Sequence, residues 1–349
     1  MTVSVLNADV PLEENVSVNT VSARLADKPA HTQELEQVRA LMLDHLQAVM
    51  EGPANSASQY QIGTRGSLLR ARLALASCSS FNCSREYAVA AAAACELIHN
   101  ASLVHDDLLD GDQLRRGQPT VWQRHGKGVA LCAGDLLLCT AFAVAAGLED
   151  AQQSRFLTQH LATMTGRVIV GQSVEIAPRD SSARPRFRAY LDAAKAKTVP
   201  LIQLPLMTGA IAANADQQVR DTLKRFAEGV GLAYQIIDDL DDLVEVESKK
   251  ESEKESEKES GEKSEVNSLH PFHAWHHHRG RQGDCPELRV QRATRHALAS
   301  LQRARHQLER LEKRLPTSMT PTLAPLLRKL ELRAKAHRHP FQLNGRARP

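Results

Sequence analysis

The sequence is poor in aromatic residues, which make up 4% of its 349 positions and include two tryptophans. Strands of sandwiches and barrels favour aromatic and β-branched side chains, so this scarcity argues against an all-β protein. Alanine, which has the highest helix propensity of all residues, supplies 47 positions. The composition therefore predicts an all-α fold.

Other features that are absent narrow the class further. No uninterrupted apolar run approaches the roughly 20 residues that a membrane span requires, so we expect no transmembrane segment. The first residues lack the basic and then apolar pattern of a signal peptide. The six cysteines are scattered, which is atypical of a disulfide framework. We therefore expect a cytoplasmic protein with free thiols.

A net charge of only +3 conceals a basic C-terminal region, because residues 266–349 contain 17 Lys/Arg and 5 Asp/Glu. Such a region could meet nucleic acid, an anionic membrane surface or a phosphorylated ligand, or could simply be a solvated helix face. No nucleic-acid-binding motif accompanies it. We predict no nucleic-acid partner and at most a weak contact with a membrane surface.

Composition and apolar periodicity divide the chain into two parts, the second of which contains an atypical insertion. Residues 1–30 are predicted to be disordered or loosely attached, and residues 31–349 to form one helical domain. Residues 247–285, a Ser/Glu/Lys repeat followed by a His-rich segment, are predicted to be an atypical solvated loop. Helices are predicted over 33–50, 87–104, 129–148, 190–213, 220–246, 288–315 and 322–336, with kinks or breaks at Pro200 and Pro205 and no strand anywhere.

Two predicted helices end in the same acidic pattern. Asp106, Asp107 and Asp110 lie at the C-terminal end of the first, where the helix dipole disfavours anions. A solvent-exposed acidic helix end, without any bound metal, would be a sufficient explanation for one such cluster. Asp238, Asp239 and Asp242 repeat the spacing on a later helix, and two facing carboxylate clusters suit Mg²⁺. The clusters contain no Cys or His pair, which argues against zinc.

Basic residues accompany these clusters in the sequence. A polyanion held through metal on one side needs cations on the other, and arginine suits bidentate contacts with phosphate. The predicted arrangement is a diphosphate site inside an apolar helical bundle. The candidate residues are Arg70, Arg72, Arg115, Arg116, Lys197 and Thr198.

With these motifs the chain resembles the all-trans polyprenyl diphosphate synthases, the family of farnesyl and geranylgeranyl diphosphate synthases. Besides the two aspartate motifs, the resemblance depends on LRRG after the first, GQSVE at 171–175, KT at 197–198 and YQIIDD before the second. It covers roughly residues 33–246. It implies an isoprenoid-synthase-type helical bundle around a central apolar cavity, and a homodimer.

The resemblance also implies the chemistry, a Mg²⁺-dependent condensation of isopentenyl diphosphate with an allylic diphosphate. Asp106, Asp107, Asp110, Lys197 and Asp238 would be catalytic. Metal ligands would be Asp106, Asp107, Asp110, Asp238, Asp239 and Asp242. Arg115, Lys197, Thr198 and Gln235 would hold the allylic substrate, and Arg70, His99 and Arg116 would hold isopentenyl diphosphate.

The chain departs from the family pattern in two places. The GGKRxRP motif is replaced by a segment in which Ser67 stands for the lysine, and Arg65 or Arg72 are the candidates to compensate. No lysine equivalent to the family's can be assigned after Asp242. These departures leave a class I terpene cyclase on the same fold, or a non-catalytic partner subunit, as alternatives. Small residues at Ala101 and Ser102, before the first motif, favour geranylgeranyl diphosphate or a longer product.

Overall fold

A computed structural model describes residues 31–64, 66–176, 187–256 and 286–337 of the chain, and it confirms the all-α prediction. Its helices are α1 (Thr32–Gln47), α2 (Pro53–Gly63), α3 (Leu69–Ser80), α4 (Arg85–Asp110), α5 (Val121–His125), α6 (Lys127–Ala146), α7 (Ala151–Ile176), α8 (Phe187–Ala212), α9 (Gln217–Ser256), α10 (Pro286–Glu312) and α11 (Thr320–Ala336). A short antiparallel pair, β1 (Leu114–Arg115) and β2 (Gln118–Pro119), follows α4.

The helices pack around two clusters of buried apolar side chains. The first surrounds α4, which contacts α1, α3 and α6. The second joins α8, α9, α10 and α11. α8 also packs on α3 and α7, and it contacts both helices that contain an aspartate motif, α4 and α9. This position lets α8 reach both aspartate motifs.

Among the described residues, two helices are long and apolar enough to cross a membrane by length and composition alone. One is α4, whose most apolar window is 83% buried inside the bundle, as expected of a core helix. The other is α6, whose window is 44% buried. The exposed part of α6 contains the apolar side chain of Leu131 and the charged side chain of Asp135.

Several sequence-based expectations need correction. Helices α2, α3, α5 and α7 were not predicted, and the expected absence of strands is wrong because β1 and β2 form after α4. The expected break in α8 is absent, since the helix continues through Pro200 and Pro205. The last helix before the charged repeat extends into it, as far as Ser256.

α7 packs closely against α8 in the turn that precedes Pro200. Pro200 has no N–H to donate to the carbonyl of Ala196. Gly171, from the GQSVE motif, lies against that carbonyl, and a Cβ at Gly171 would be 2.5 Å from the oxygen. Glycine is therefore required for this approach of α7 to α8.

Residues 1–30, which were predicted to be disordered, and residues 257–285 of the predicted solvated loop, with the His-rich segment, lie outside the described residues. Arg65 and residues 177–186 and 338–349 lie outside them as well. The division into one domain with a disordered N-terminus stays a prediction.

Candidate active site

The first aspartate motif occupies the last turn of α4. The helix begins at a capping serine, Ser84, whose hydroxyl accepts a hydrogen bond from the Tyr87 N–H at 3.2 Å. It ends at Gly111, whose φ of 75° lies in the left-handed region. Within the motif the Asp106 side chain is 20% exposed, Asp110 is exposed, and Asp107 is only 1% exposed. The first and third aspartates are therefore the accessible ones.

The hairpin after α4 folds Arg115 back onto the buried aspartate. Arg116 and Gly117, between β1 and β2, both have positive φ, at 54° and 74°, which a two-residue type I′ turn requires. Arg115 Nε donates to Asp107 Oδ1 at 2.6 Å. Burial raises the pKa of Asp107, and Arg115 opposes this effect. The other oxygen, Asp107 Oδ2, is buried and has no hydrogen-bond partner among the described residues.

The second aspartate motif repeats this arrangement on α9. Asp239, the middle residue, is 3% exposed and accepts hydrogen bonds from the Tyr190 hydroxyl and from Gln235 Nε2, the latter at 2.9 Å. Asp238 is 34% exposed, and Asp242 is exposed. In both motifs the middle carboxylate is held by protein, while the outer two are accessible.

Lys197 and Thr198, two consecutive residues of α8, contact different aspartate motifs, the first directly and the second through Gln235. Lys197 Nζ lies 3.7 Å from Asp106 Oδ1 of the first motif. The neighbouring Thr198 hydroxyl donates to Gln235 Oε1, and Gln235 in turn holds Asp239 of the second motif. The KT pair therefore links residues of both aspartate motifs.

A basic group lies beside the motifs, where Arg70, His99, Arg115 and Arg116 converge. Burial first, and then these three arginines, lower the pKa of His99 well below its usual value. The guanidinium of Arg116 lies against Gly66, where a Cβ would be 2.6 Å from Nη1. Arg70 Nε and His99 Nδ1 are buried and find no hydrogen-bond partner in the described part of the chain. Unsatisfied polar groups among three guanidiniums favour an anionic ligand.

A glutamate fixes the backbone beneath this basic group. Glu96 is buried on α4 and accepts a hydrogen bond from the Ala71 N–H at 2.9 Å. Burial raises its pKa, while the bond from Ala71 and the charges of Arg70 and Arg116 oppose the shift. Glu96 therefore ties the start of α3 to α4 and orients Arg70.

Four site residues were missed by sequence reasoning. Arg333 on α11 donates from Nη2 to Asp238 Oδ1 at 2.6 Å and from Nε to Asp241 Oδ2 at 3.0 Å. His337 Nε2 lies 2.5 Å from the other oxygen of Asp241. The Tyr234 ring lies between two guanidiniums, with Arg70 at 5.6 Å and Arg333 at 5.9 Å from its centroid.

Two of these residues left a signal in the sequence. Tyr234 is the first residue of the YQIIDD motif, and Asp241 stands within the run DDLDD, so the proximity of both to the second motif was visible. Arg333 and His337 lie more than 90 positions from their partners, beyond the charged repeat. Gln172 in GQSVE is a further candidate, because its amide N and O are buried without a hydrogen-bond partner among the described residues.

The carboxylates of the described residues are not already arranged as a metal-binding site. Within the described residues, no group of three or more His, Cys, Asp or Glu side chains is arranged to hold a metal ion. Instead, Asp107 is paired with Arg115, Asp106 with Lys197, and Asp238 with Arg333.

An all-helical bundle that places two aspartate motifs and a basic group around one helix defines a class of protein that handles diphosphates. The comparison with known families agrees: residues 53–264 match the polyprenyl synthetase family model. The chain belongs to the polyprenyl synthetase family.

Curated relatives match about half of the chain. A short chain isoprenyl diphosphate synthase from Methanocaldococcus jannaschii is 36% identical over 159 residues, 46% of this chain and 48% of the relative. A geranylgeranyl diphosphate synthase from Mycobacterium tuberculosis is 36% identical over 178 residues, 51% of each chain. The match therefore spans about half the length of these relatives.

A solved structure covers more of the fold. The apo FPP/GFPP synthase from Zymomonas mobilis superposes with a TM-score of 0.66 at 27% identity, over 85% of this chain and 95% of that one. This similarity supports the isoprenoid-synthase-type architecture along most of the chain.

Proposed function

We propose that this chain is a prenyltransferase that condenses isopentenyl diphosphate with an allylic diphosphate, with Mg²⁺ as cofactor, to make a longer all-trans prenyl diphosphate. The observation that carries the proposal is the KT pair on α8. Lys197 reaches Asp106 while Thr198 holds Gln235 and, through it, Asp239. A diphosphate between the two motifs would meet carboxylates, a lysine and arginines in one place.

The residues present fit Mg²⁺. Their donors are oxygen atoms only, which Mg²⁺ prefers, and its remaining positions are usually filled by water and substrate phosphates. Asp107 Oδ2 is a buried carboxylate oxygen without a hydrogen-bond partner among the described residues. The accessible outer aspartates, Asp106 and Asp110 on α4 and Asp238 and Asp242 on α9, would hold the ions. When bound, Mg²⁺ would neutralise diphosphate charge as a Lewis acid.

The protein side chains would divide the remaining work. Arg115 and Lys197 would bind the allylic diphosphate and stabilise it as it departs with the electron pair of the broken C–O bond. Arg70, His99 and Arg116 would bind isopentenyl diphosphate, whose double bond attacks the resulting allylic cation. The departed diphosphate would take the proton that is then lost. His99 enters this scheme as a neutral hydrogen-bonding group, since its lowered pKa keeps it uncharged at neutral pH.

The test is incubation of the chain with isopentenyl diphosphate, Mg²⁺ and each allylic primer in turn, with products read by mass spectrometry. Elongated diphosphates are the expected products. Release of inorganic diphosphate with a hydrocarbon would instead indicate a terpene cyclase. A chain that is inactive by itself but raises the turnover of a partner synthase would be a non-catalytic subunit. Geranylgeranyl diphosphate or a longer product is the favoured chain length.

We further propose a homodimer that buries exposed apolar side chains of α6 and α7. These side chains are Leu131 on α6 and Ile169, Val170 and Val174 on α7, each more than half exposed. Exposed apolar patches shared by two helices mark association sites. A cytoplasmic location, and a weak contact between the basic region 266–349 and an anionic membrane surface, are parts of the same proposal.

Sedimentation of the full chain tests the dimer. Val170→Asp should shift the chain to monomer, because a carboxylate would be buried without a partner. Leu332→Asp is the matched control, since Leu332 is as exposed but lies on α11. A wild-type monomer, or dissociation by both variants alike, would contradict this interface.

A further inference from the structure

The end of α3 places two cysteines in contact. The Cys83 N–H donates to the carbonyl of Cys78 at 2.9 Å, and the Asn82 N–H donates to the carbonyl of Ser79 at 3.2 Å. Asn82 has a φ of 53°, in the left-handed region. This pair of bonds around a left-handed residue is a Schellman motif, in which the side chains at the positions of Cys78 and Cys83 typically touch.

The sulfur atoms confirm that both side chains point to one spot on α8. Cys78 Sγ lies 3.5 Å from the Thr208 hydroxyl oxygen, and Cys83 Sγ lies 3.9 Å from the carbonyl oxygen of the next residue, Gly209. Cys78 is fully buried, whereas Cys83 is half-buried. A small oxidant can therefore reach Cys83 before Cys78.

We propose that Cys78 and Cys83 form a dithiol modification site, which a hydroperoxide oxidises to an intramolecular disulfide. The Cys83 thiolate attacks the hydroperoxide, so that an S–O bond forms, the O–O bond breaks and an alcohol or water leaves. Cys78 then attacks the Cys83 sulfur and gives up its proton. The S–S bond forms and the hydroxyl departs as water. Two thiols lose two electrons, and the hydroperoxide gains them.

The surroundings support this order of attack. The hydrogen bond from the Cys78 thiol lowers the pKa of Cys83, which favours the reactive thiolate there. Burial raises the pKa of Cys78, so this thiol is less able than Cys83 to attack the hydroperoxide first. The third thiol nearby, Cys95, is fully buried on α4 and has its pKa raised by burial, so it too is protected from direct reaction with a hydroperoxide. This site does not depend on the proposed prenyltransferase activity.

Peptide mapping of the full chain tests the proposal sharply. Trypsin cleaves after Arg72 and Arg85, so residues 73–85 form one peptide that contains both Cys78 and Cys83 and no other cysteine. After treatment with hydrogen peroxide, this peptide should be lighter by two hydrogen atoms and should resist alkylation. Reduction should restore two alkylatable thiols.

Two conservative variants separate the steps. Cys83→Ser should abolish the lighter peptide. Cys78→Ser should leave Cys83 as a sulfenic acid that dimedone traps. The proposal is overturned if the wild-type peptide keeps two free thiols while the exposed Cys132 and Cys139 oxidise, or if Cys78 pairs with Cys95 instead.

Discussion

Arg333 donates a hydrogen bond to Asp238 at 2.6 Å, so α11, the last described helix, places a positively charged side chain beside the second aspartate motif. Arg333 also bridges to Asp241, which His337 holds from its other side. DDLDD places four carboxylates within five residues, and like charges this close repel one another. Arg333 therefore neutralises part of the motif and links α11 to α9.

Replacing this arginine should expose both effects. Arg333→Gln is expected to lower the free energy of unfolding by about 1 kcal/mol, because a partly exposed ion pair is lost. It should also tighten Mg²⁺ binding severalfold, because a positive charge beside Asp238 is removed. Thermal unfolding and calorimetric titration with Mg²⁺ measure the two quantities.

The matched control for Arg333→Gln is Arg305→Gln. Arg305 on α10 pairs with Glu331 on α11 at 2.8 Å, so it also forms an ion pair between two helices, but one that does not include the aspartates of the motif. Its loss should lower stability by a similar amount or less and leave Mg²⁺ affinity unchanged. Weaker Mg²⁺ binding by Arg333→Gln would show that Arg333 orients the motif rather than competes with metal.

A buried histidine predicts how stability depends on pH. Burial lowers the pKa of His160 on α7 to about 4, while its ring nitrogen contacts the Leu204 carbonyl at 3.0 Å. The unfolded chain protonates this residue near its ordinary pKa of 6.5, so between pH 6.5 and 4 the unfolded state binds more protons. Its contribution to stability is therefore complete above pH 6.5 and lost as pH falls towards 4.

Urea unfolding at pH 7 and pH 5 checks this linkage. His160 alone should account for a loss of about 2 kcal/mol between these values. His160→Gln should remove that part of the pH dependence, whereas His306→Gln on the exposed surface of α10 should not. Equal pH dependence in all three proteins would show that His160 is protonated in the folded chain.

Much of the bundle was predictable because its buried helices have clear apolar patterns. α1, α4, α6, α8, α9, α10 and α11 lie close to their predicted positions. By contrast, α3 consists largely of small residues that are buried on nearly every side, so it has no periodic apolar stripe. The strands β1 and β2 are two residues long, which is too short for an alternating pattern.

The candidate site was predictable only where the signal is local. Spacing on one helix identifies Asp106 and Asp110, whereas Lys197 and Thr198 were predicted from the need for cations near a bound polyanion and from the resemblance. Lys197 contacts the first motif and Thr198 the second because of the way α8 packs against α4 and α9. This packing cannot be predicted from residue spacing in the sequence. The contact of Arg333 with Asp238 spans 95 positions and required the tertiary structure.

The substituted lysine position yields a kinetic prediction. Ser67 is exposed, and its carbonyl accepts a hydrogen bond from Arg72 Nε at 3.1 Å. Ser67→Lys should lower the KM for isopentenyl diphosphate severalfold and leave the allylic KM nearly unchanged, because it adds a charge to one substrate's side only. Ser56→Lys, on the exposed surface of α2, is the control. An unchanged KM would mean that Arg72 or Arg65 already compensates.

Product length can be tested by substitutions at Ala101 and Ser102, which lie one helical turn before the first aspartate motif on α4. Ala101 is fully buried, and Ser102 is partly buried with its hydroxyl bonded to the His99 carbonyl. Ala101→Tyr should shorten the product, and overpacking should cost about 1–3 kcal/mol of stability. Ser102→Phe is a second variant with more room. An unchanged product distribution from two folded variants would place the length determinant elsewhere.

The most direct test of the proposed site is the rate of condensation by Asp106→Asn, measured with isopentenyl diphosphate, an allylic diphosphate and Mg²⁺. This change removes the accessible carboxylate of the first motif that Lys197 reaches, with little change in volume. The rate should fall by about 10²–10³-fold while the melting temperature stays near that of the wild type. Asp44→Asn, on the exposed surface of α1, should match the wild type in both. Near-normal condensation by Asp106→Asn at limiting Mg²⁺ would contradict the assignment of this motif to metal and diphosphate binding.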